Sequence, residues 1–297
     1  MPSDNVEEFR QVLSSSKKIL ILSGAGLSAA SGSYYSLAAP HTIVPHSRSG
    51  VATFRGNGGL WRKYDAASLA TPAAFAENQS RVWQFFHYRR EQVLKAAPNP
   101  AHRALARLAI PSIRHTLAPH SALTHVTQNV DGLCTIALAD AVAPLCTPEE
   151  PAELIEMHGR LFDVVCTAHD CGFRETTRRS PLCPALRGTE AALEPVVRRA
   201  DLPRCPVCGQ LCRPGVVWFG ERPHRIEEIL ALADDADLCI VVGTSAVVQP
   251  ASKIGGRVKE HRGKIAVFNI EASNHSDEAD FLFLGPVDVV AIFDNKT

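Results

Sequence analysis

The sequence predicts an α/β protein built on a parallel, doubly wound sheet that is interrupted by a cysteine-rich insertion. Three observations carry that prediction. Apolar runs of strand length end in small or polar residues, helix-like segments separate most of them, and four of the nine cysteines fall into two close pairs. With 297 residues and 45% hydrophobic content, the chain is large enough for one substantial core and a smaller satellite.

Residues 4–16 carry Val6, Phe9, Val12 and Leu13 at helical spacing behind Asp4 as the cap. Residues 17–23 form a buried strand that runs into Gly24-Ala25-Gly26-Leu27-Ser28, a turn whose missing side chains let a ligand approach the backbone. Residues 71–95 predict one or two amphipathic helices, ending before Pro98-Asn99-Pro100, and residues 101–110 predict another. His125-Val126-Thr127 ends a strand and leads to Gln128-Asn129-Val130-Asp131-Gly132, amides and a carboxylate where open α/β sheets bind ligands. A further short strand delivers His158 to the turn at Gly159, and residues 238–245 and 264–269 give two more apolar strands.

Composition removes several classes of function. Lys plus Arg and Asp plus Glu both total 31, so the formal net charge is zero and nothing global attracts nucleic acid or an anionic membrane. The longest apolar runs are of strand length, far below the roughly 20 residues that span a bilayer. The acidic N-terminal residues have neither a secretory nor a transit pattern, which predicts cytoplasm or nucleus. No direct nucleic-acid or membrane partner is expected.

The cysteine pairs are the most specific local signal. Cys166-x4-Cys171 and Cys205-x2-Cys208 match two knuckles whose thiolates close one tetrahedral zinc site, with Cys183 and Cys212 as spare ligand candidates. Four sulfur ligands leave no open position, so this zinc is structural. Cys134, Cys146 and Cys239 are expected to act as small apolar side chains. The glycine turn at residue 24, a second at Gly243-Thr244-Ser245 and an acid at Glu271 beyond a later strand are what a dinucleotide site needs: amides for the pyrophosphate and polar groups for the riboses. Gln128, Asn129, Asp131 and His158 lie at strand ends facing one cleft, combining amide recognition, a carboxylate and a near-neutral base.

These residues together resemble the sirtuins, the NAD-dependent protein-lysine deacylases. The matching blocks are the residue 24–28 turn, Thr53-Phe54-Arg55-Gly56, residues 127–132, Glu156-Met157-His158-Gly159, the cysteine pairs, Val217-Trp218-Phe219-Gly220-Glu221, Gly243-Thr244-Ser245 and Asn269-x-Glu271, in family order from about residue 15 to about 285. The resemblance implies a Rossmann-like large domain (parts of about 1–32, 101–160 and 214–297), a helical module (about 57–100) and a zinc-binding module (about 161–213). It implies that NAD contacts Gly24, Ala25, Gly26, Ser28, Phe54, Arg55, Gln128, Asn129, Asp131, Gly243, Thr244, Ser245, Asn269 and Glu271. Acyl-lysine proteins or peptides would pair with Val217, Trp218, Phe219 and Gly220 as an added strand.

In the reaction so implied, the acyl oxygen attacks the ribose carbon as nicotinamide leaves, His158 takes a proton from the ribose hydroxyl directly or by relay, and Asn129, beside the nicotinamide and its ribose, is the second catalytic residue. The products are nicotinamide, free lysine and O-acyl-ADP-ribose. Mono-ADP-ribosyl transfer from the same site, and a catalytically weak NAD-sensing or peptide-binding module, are the alternatives. Within the family, Ala70 and Arg89 resemble the class III branch, which removes succinyl, malonyl and glutaryl groups and is often mitochondrial. Small Ala70 leaves room for a longer acyl chain, and the Arg89 fork suits its terminal carboxylate. That branch uses a Tyr-x-x-Arg pair, whereas here Phe86 precedes Arg89 and the phenol hydroxyl is missing. Two further departures are the extra residues 33–50, bounded by Ser-Gly on both sides where the cofactor loop must close, and the long spacing of the first cysteine pair.

Overall fold

The computed structural model describes residues 1–29, 31, 60–192, 195–244, 252–272 and 278–285. The chain opens with α1 (Val6–Ser15), and its cap is Asn5 rather than the expected Asp4: the Asn5 side chain accepts the amides of Glu7 and Glu8. This register aims Phe9 and Leu13 at the core, where the Phe9 ring meets Phe268, Phe281 and Phe283 edge-on at 5.5, 5.7 and 5.7 Å. Strand β1 (Lys18–Ser23) follows, and a short helix α2 (Ala25–Ala29) starts inside the glycine turn.

A small hairpin, β2 (Leu60–Trp61) and β3 (Tyr64–Asp65), leads into α3 (Ala66–Leu69), α4 (Pro72–Glu77) and α5 (Gln79–Val93). Asn78 ends α4 and caps α5 by accepting the Arg81 amide, so the apolar stretch from residue 71 divides into two helices. Next come α6 (Pro100–Ala109), α7 (Pro111–Leu117), β4 (Ala122–Thr127), α8 (Leu133–Val142) and β5 (Glu153–Glu156). The cysteine region holds β6 (Gly159–Cys166), β7 (Arg174–Thr176) and β8 (Cys212–Val216). The chain then returns through α9 (Ile226–Asp234), β9 (Leu238–Val242), α10 (Ser252–Glu260), β10 (Lys264–Asn269) and β11 (Phe281–Leu284).

Six strands form one parallel sheet in the order β11-β10-β9-β1-β4-β5. This is the doubly wound arrangement expected from the sequence. Alternate residues of β1 feed different cores: Ile19 and Ile21 pack with α1 and α6, whereas Leu20 and Leu22 pack with α9 and α10. Strand β9 repeats the division, with Leu238, Ile240 and Val242 on one face and Cys239 and Val241 on the other. The order runs from β1 outward through β4 on one side and from β9 outward on the other, so the crevice at their carboxyl ends is the switch point where such sheets take ligands.

The second sheet, β7-β6-β8, is antiparallel and is strapped to α5. Trp83 donates its indole N–H to Cys212 O at 2.9 Å, and the buried Arg90 guanidinium donates to the carbonyls of Leu161, Thr177 and Arg179 at 2.9, 2.6 and 2.9 Å. Of the three cysteines expected to be apolar fillers, Cys134 and Cys239 are buried but Cys146 is exposed, because it lies in the polar segment between α8 and β5. Among the described residues no helix is long and apolar enough to cross a membrane.

Candidate active site

The ends of β1 and β9 approach so closely that neither turn tolerates a side chain. A Cβ on Gly26 would lie 2.7 Å from Gly243 Cα, and one on Gly243, whose φ is +60°, would lie 2.1 Å from the Leu27 nitrogen. The Gly24 amide donates to Val242 O at 3.0 Å and the Gly26 amide to Gly243 O at 2.6 Å. Gly24 and Gly26 therefore act by removing bulk, and their own amides are bonded within the protein. Thr244 accepts from Gln128 Nε2 at 3.2 Å through its hydroxyl and from Asn269 Nδ2 at 3.2 Å through its carbonyl, which links three strand ends.

Asn129 is buried and its carboxamide is oriented from behind. Its Nδ2 donates to Gly24 O and to Ser28 Oγ, both at 3.0 Å, while Oδ1 is buried with no hydrogen-bond partner among the described residues. An orphaned acceptor of this kind calls for a donor from outside the chain. Ser28 is held in turn by His102 Nε2 at 3.3 Å, and His125 Nε2 meets Ser23 Oγ at 2.8 Å. Burial pushes His102 down to about 4 and His125 to about 3, so both are neutral.

His158 is 6% exposed in the turn between β5 and β6. Gly159 makes that turn with φ at +73°, and an added Cβ would strike Gly215 O at 2.3 Å. His158 O accepts the Val217 amide at 2.8 Å, and Nδ1 lies 3.0 Å from Gln128 O. A carbonyl can only accept, so Nδ1 carries the proton and Nε2 holds the lone pair. The expected near-neutral pKa is corrected: burial drives it down to about 4, opposed by the Gln128 carbonyl and assisted by the charge of His224. At neutral pH the ring is a base with one fixed tautomer.

The other expected cofactor residues divide. Asp131 is buried and accepts the Leu133 amide at 2.9 Å just ahead of α8, Ala25 opens α2, and Glu271 is exposed just past β10. Phe54, Arg55 and Ser245 lie outside the described residues, as do the extra residues 33–50. Gly24, Gly26, Ser28, Gln128, Asn129, Gly243, Thr244 and Asn269 form one connected group. Two turns without side chains beside an orphaned carboxamide oxygen fit a flat, polar dinucleotide.

In the segment expected to pair with a substrate, Phe219 N–H donates to Ala70 O at 2.9 Å and Trp218 N–H to Glu221 Oε2 at 2.8 Å. With the Val217 amide also used, a partner strand must take much of its bonding from the carbonyls of this segment, next to the φ +87° turn at Gly220. Ala70, Phe86 and Trp218 share one apolar cluster, with the Phe86 and Trp218 rings 6.3 Å apart. Arg89 is buried on the same helix as Phe86, 5.6 Å from the Phe85 ring centroid.

The four paired cysteines converge. Sγ of Cys166 lies 3.4 Å from that of Cys208, Sγ of Cys171 lies 3.5 Å from that of Cys205, and all four ligand atoms lie within 4.8 Å of one another. Tetrahedral zinc with Zn–S bonds of about 2.3 Å needs sulfurs about 3.8 Å apart, so the donor set fits the metal. Cys183 and Cys212 are not in this group.

Sequence reasoning missed His102, His125 and His224. A histidine within a strand as apolar as β4, and an Asn-Pro cap followed by His102 at the third helical position, were the available signals.

Comparison with known proteins agrees with this geometry. The Sir2 family model matches residues 46–250. The chain belongs to the Sir2 family. A relative from Canis lupus familiaris, named NAD-dependent protein deacylase sirtuin-5, mitochondrial, is 40% identical over 96% of this chain and 83% of its own. An NAD-dependent protein deacylase from Pyrococcus abyssi is 39% identical over 94% of this chain and 92% of its own. Among solved structures, a Sir2 homologue in complex with NAD superposes with a TM-score of 0.72 at 32% identity, covering 99% of this chain and 94% of that one. The Rossmann-like sheet with its attached cysteine ribbon is therefore the Sir2 fold.

Proposed function

We propose that the protein is an NAD-dependent protein-lysine deacylase whose acyl pocket follows the class III pattern. The observation that carries this reading is the neutral His158 with its lone pair fixed on Nε2, set beside the turn-over-turn crevice and the orphaned Asn129 oxygen. NAD, when bound, supplies a ribose carbon from which nicotinamide can be displaced and hydroxyls that can take up the acyl group. Gly24, Gly26 and Gly243 leave room for it, Gln128 and Asn269 are held in place through Thr244, and Asn129 Oδ1 accepts from a ligand hydroxyl or amide. His158 Nε2 removes a proton from a ribose hydroxyl, and the Gln128 carbonyl steadies the charge that develops on the ring.

Zinc held by Cys166, Cys171, Cys205 and Cys208 would keep the ribbon closed and take no part in the chemistry, since four thiolates would leave it no open position. The substrate's main chain runs along Val217, Trp218, Phe219 and Gly220, and its acyl group enters past Ala70 and Phe86 toward Arg89. A guanidinium there favours a terminal carboxylate, and the class III reading rests on it.

The test is a panel of succinyl-, malonyl-, glutaryl- and acetyl-lysine peptides incubated with labelled NAD. The expected products are nicotinamide and O-acyl-ADP-ribose, with the acidic acyl groups released faster and the order reversed in Arg89→Met. Label transferred to protein instead would overturn deacylation in favour of ADP-ribosyl transfer. Faster deacetylation by the unaltered protein would remove the class III assignment alone.

A further inference from the structure

A groove of about 750 Å³ opens between α4, the outer face of β6 and β8 and the turn that follows β8. Its floor is aromatic, Phe75 and Trp218 with centroids 5.2 Å apart. Its walls are basic: among the described residues the lining contains four arginines, Arg174, Arg199, Arg213 and Arg222, and one carboxylate, Glu221. The chain as a whole has a formal net charge of zero, so this is a local excess.

The arginines are not equivalent. Arg213 lies 3.6 Å over the Trp218 ring and forks onto Glu221 at 2.5 and 2.9 Å, which fixes the turn. Arg174 is tied to Asp163 at 2.8 Å and Arg222 to Glu227. Arg199 is exposed and has no carboxylate partner among the described residues. Trp218 also keeps a buried indole N–H without an acceptor among them. Three of the four arginines are thus paired inside the protein, and the exposed Arg199 is the lining guanidinium that keeps its charge for a partner from outside.

The groove's position indicates what that partner is. Val217 and Trp218 line the groove and also begin the segment along which the substrate backbone is proposed to run, so a peptide laid there continues into the groove. We propose that the groove receives the part of the substrate protein flanking the acyl-lysine and selects Asp and Glu side chains at those positions. This rests on the deacylase reading. It adds a determinant of sequence choice that is separate from the acyl pocket, since a main-chain strand pairing alone would accept almost any sequence.

The experiment uses the full chain, NAD and one succinyl-lysine peptide core carrying three alanines or three glutamates on either side of the lysine, with nicotinamide release as the readout. Glutamates on at least one side are expected to raise kcat/KM about 3- to 10-fold, through KM, with the gain shrinking as salt is raised. Arg199→Glu, and Arg199→Glu combined with Arg222→Glu, are expected to remove that gain while turnover of the alanine-flanked peptide and the melting temperature stay unchanged. Equal kcat/KM for all flanks, or a gain that survives the double variant, overturns the proposal and leaves the deacylase reading intact. Absence of turnover on every peptide overturns that reading, and the groove's assignment with it.

Discussion

The six-stranded sheet and the cysteine ribbon solve the same stability problem by different means. Strands β1 and β9 bury both faces, sending alternate side chains into two separate cores, so the sheet is held by apolar area and by the helices that cover it. In the ribbon, β6 and β8 feed one small cluster in which Val164, Leu186 and Leu211 sit among cysteines, while β7 is exposed throughout and adds nothing to it. A core that small does not hold long loops by burial, and the converging thiols supply the constraint instead. Zinc removal should therefore separate the two regions. Structural zinc contributes about 10 kcal/mol in small zinc-dependent domains, so chelation or Cys205→Ala is expected to unfold the ribbon and end peptide turnover. Far-UV dichroism should retain most of the helical and sheet signal. Cooperative loss of the whole molecule would break the comparison.

The sheet region has its own weakness, which is acid. His102, His125 and His158 sit at about 4, 3 and 4, held down first by burial. Each folded value lies below the unfolded value of about 6.5, so as pH falls the unfolded chain takes up protons that the folded chain refuses. Stability is complete above that pH and is lost progressively as pH descends toward 4 and then 3. At pH 5 the loss is about 2 kcal/mol for each histidine. A melting temperature that falls between pH 7 and pH 5, and falls less in His125→Gln, is the expected result; an unchanged one would show that these rings are not buried as described.

Those histidines also mark the limit of what the sequence discloses. Strands β1, β9 and β10 were legible because residues buried on both faces leave an unbroken apolar run. The zinc ligands were legible because knuckle geometry imposes a spacing. Strand β7, Arg174–Thr176, carries no apolar signal at all and exists through its pairing with β6. The cap of α1 shifted by one residue because Asp4 and Asn5 are both good caps, and the burial of Phe9 and Leu13 set the register. The pKa of His158 was out of reach, since the elements that desolvate it, the ends of β4 and β8, are remote in sequence.

At the junction of the two regions, the His158→Ala variant tests the chemistry without touching either core. Among the described residues the ring hydrogen-bonds to Gln128 O, so its removal is expected to leave folding and zinc content unchanged. Turnover should fall by about 10²- to 10⁴-fold, the usual worth of a positioned general base. NAD affinity measured by calorimetry should change little. Full activity in the variant would remove the base assignment while leaving the fold and the cofactor crevice as they are.

The smallest expected effect is also the most diagnostic for the acyl end. Phe86 is 2% exposed and packs on Phe85 and Trp218, with ring centroids 5.1 and 6.3 Å away. Phe86→Tyr adds a hydroxyl to that site. A phenol left without a partner costs about 1–3 kcal/mol, so the apo protein should melt slightly lower. If the acyl group's carboxylate comes to rest between residue 86 and Arg89, it offers the hydroxyl an acceptor, and the substrate complex regains what the apo protein lost. Succinyl-lysine should then gain on acetyl-lysine by about 10-fold in kcat/KM, the lower end of what a hydrogen bond to a charged group is worth. An equal loss for both acyl groups would mean that the carboxylate never reaches residue 86, and that the buried Arg89 belongs to the packing of α5 rather than to substrate choice.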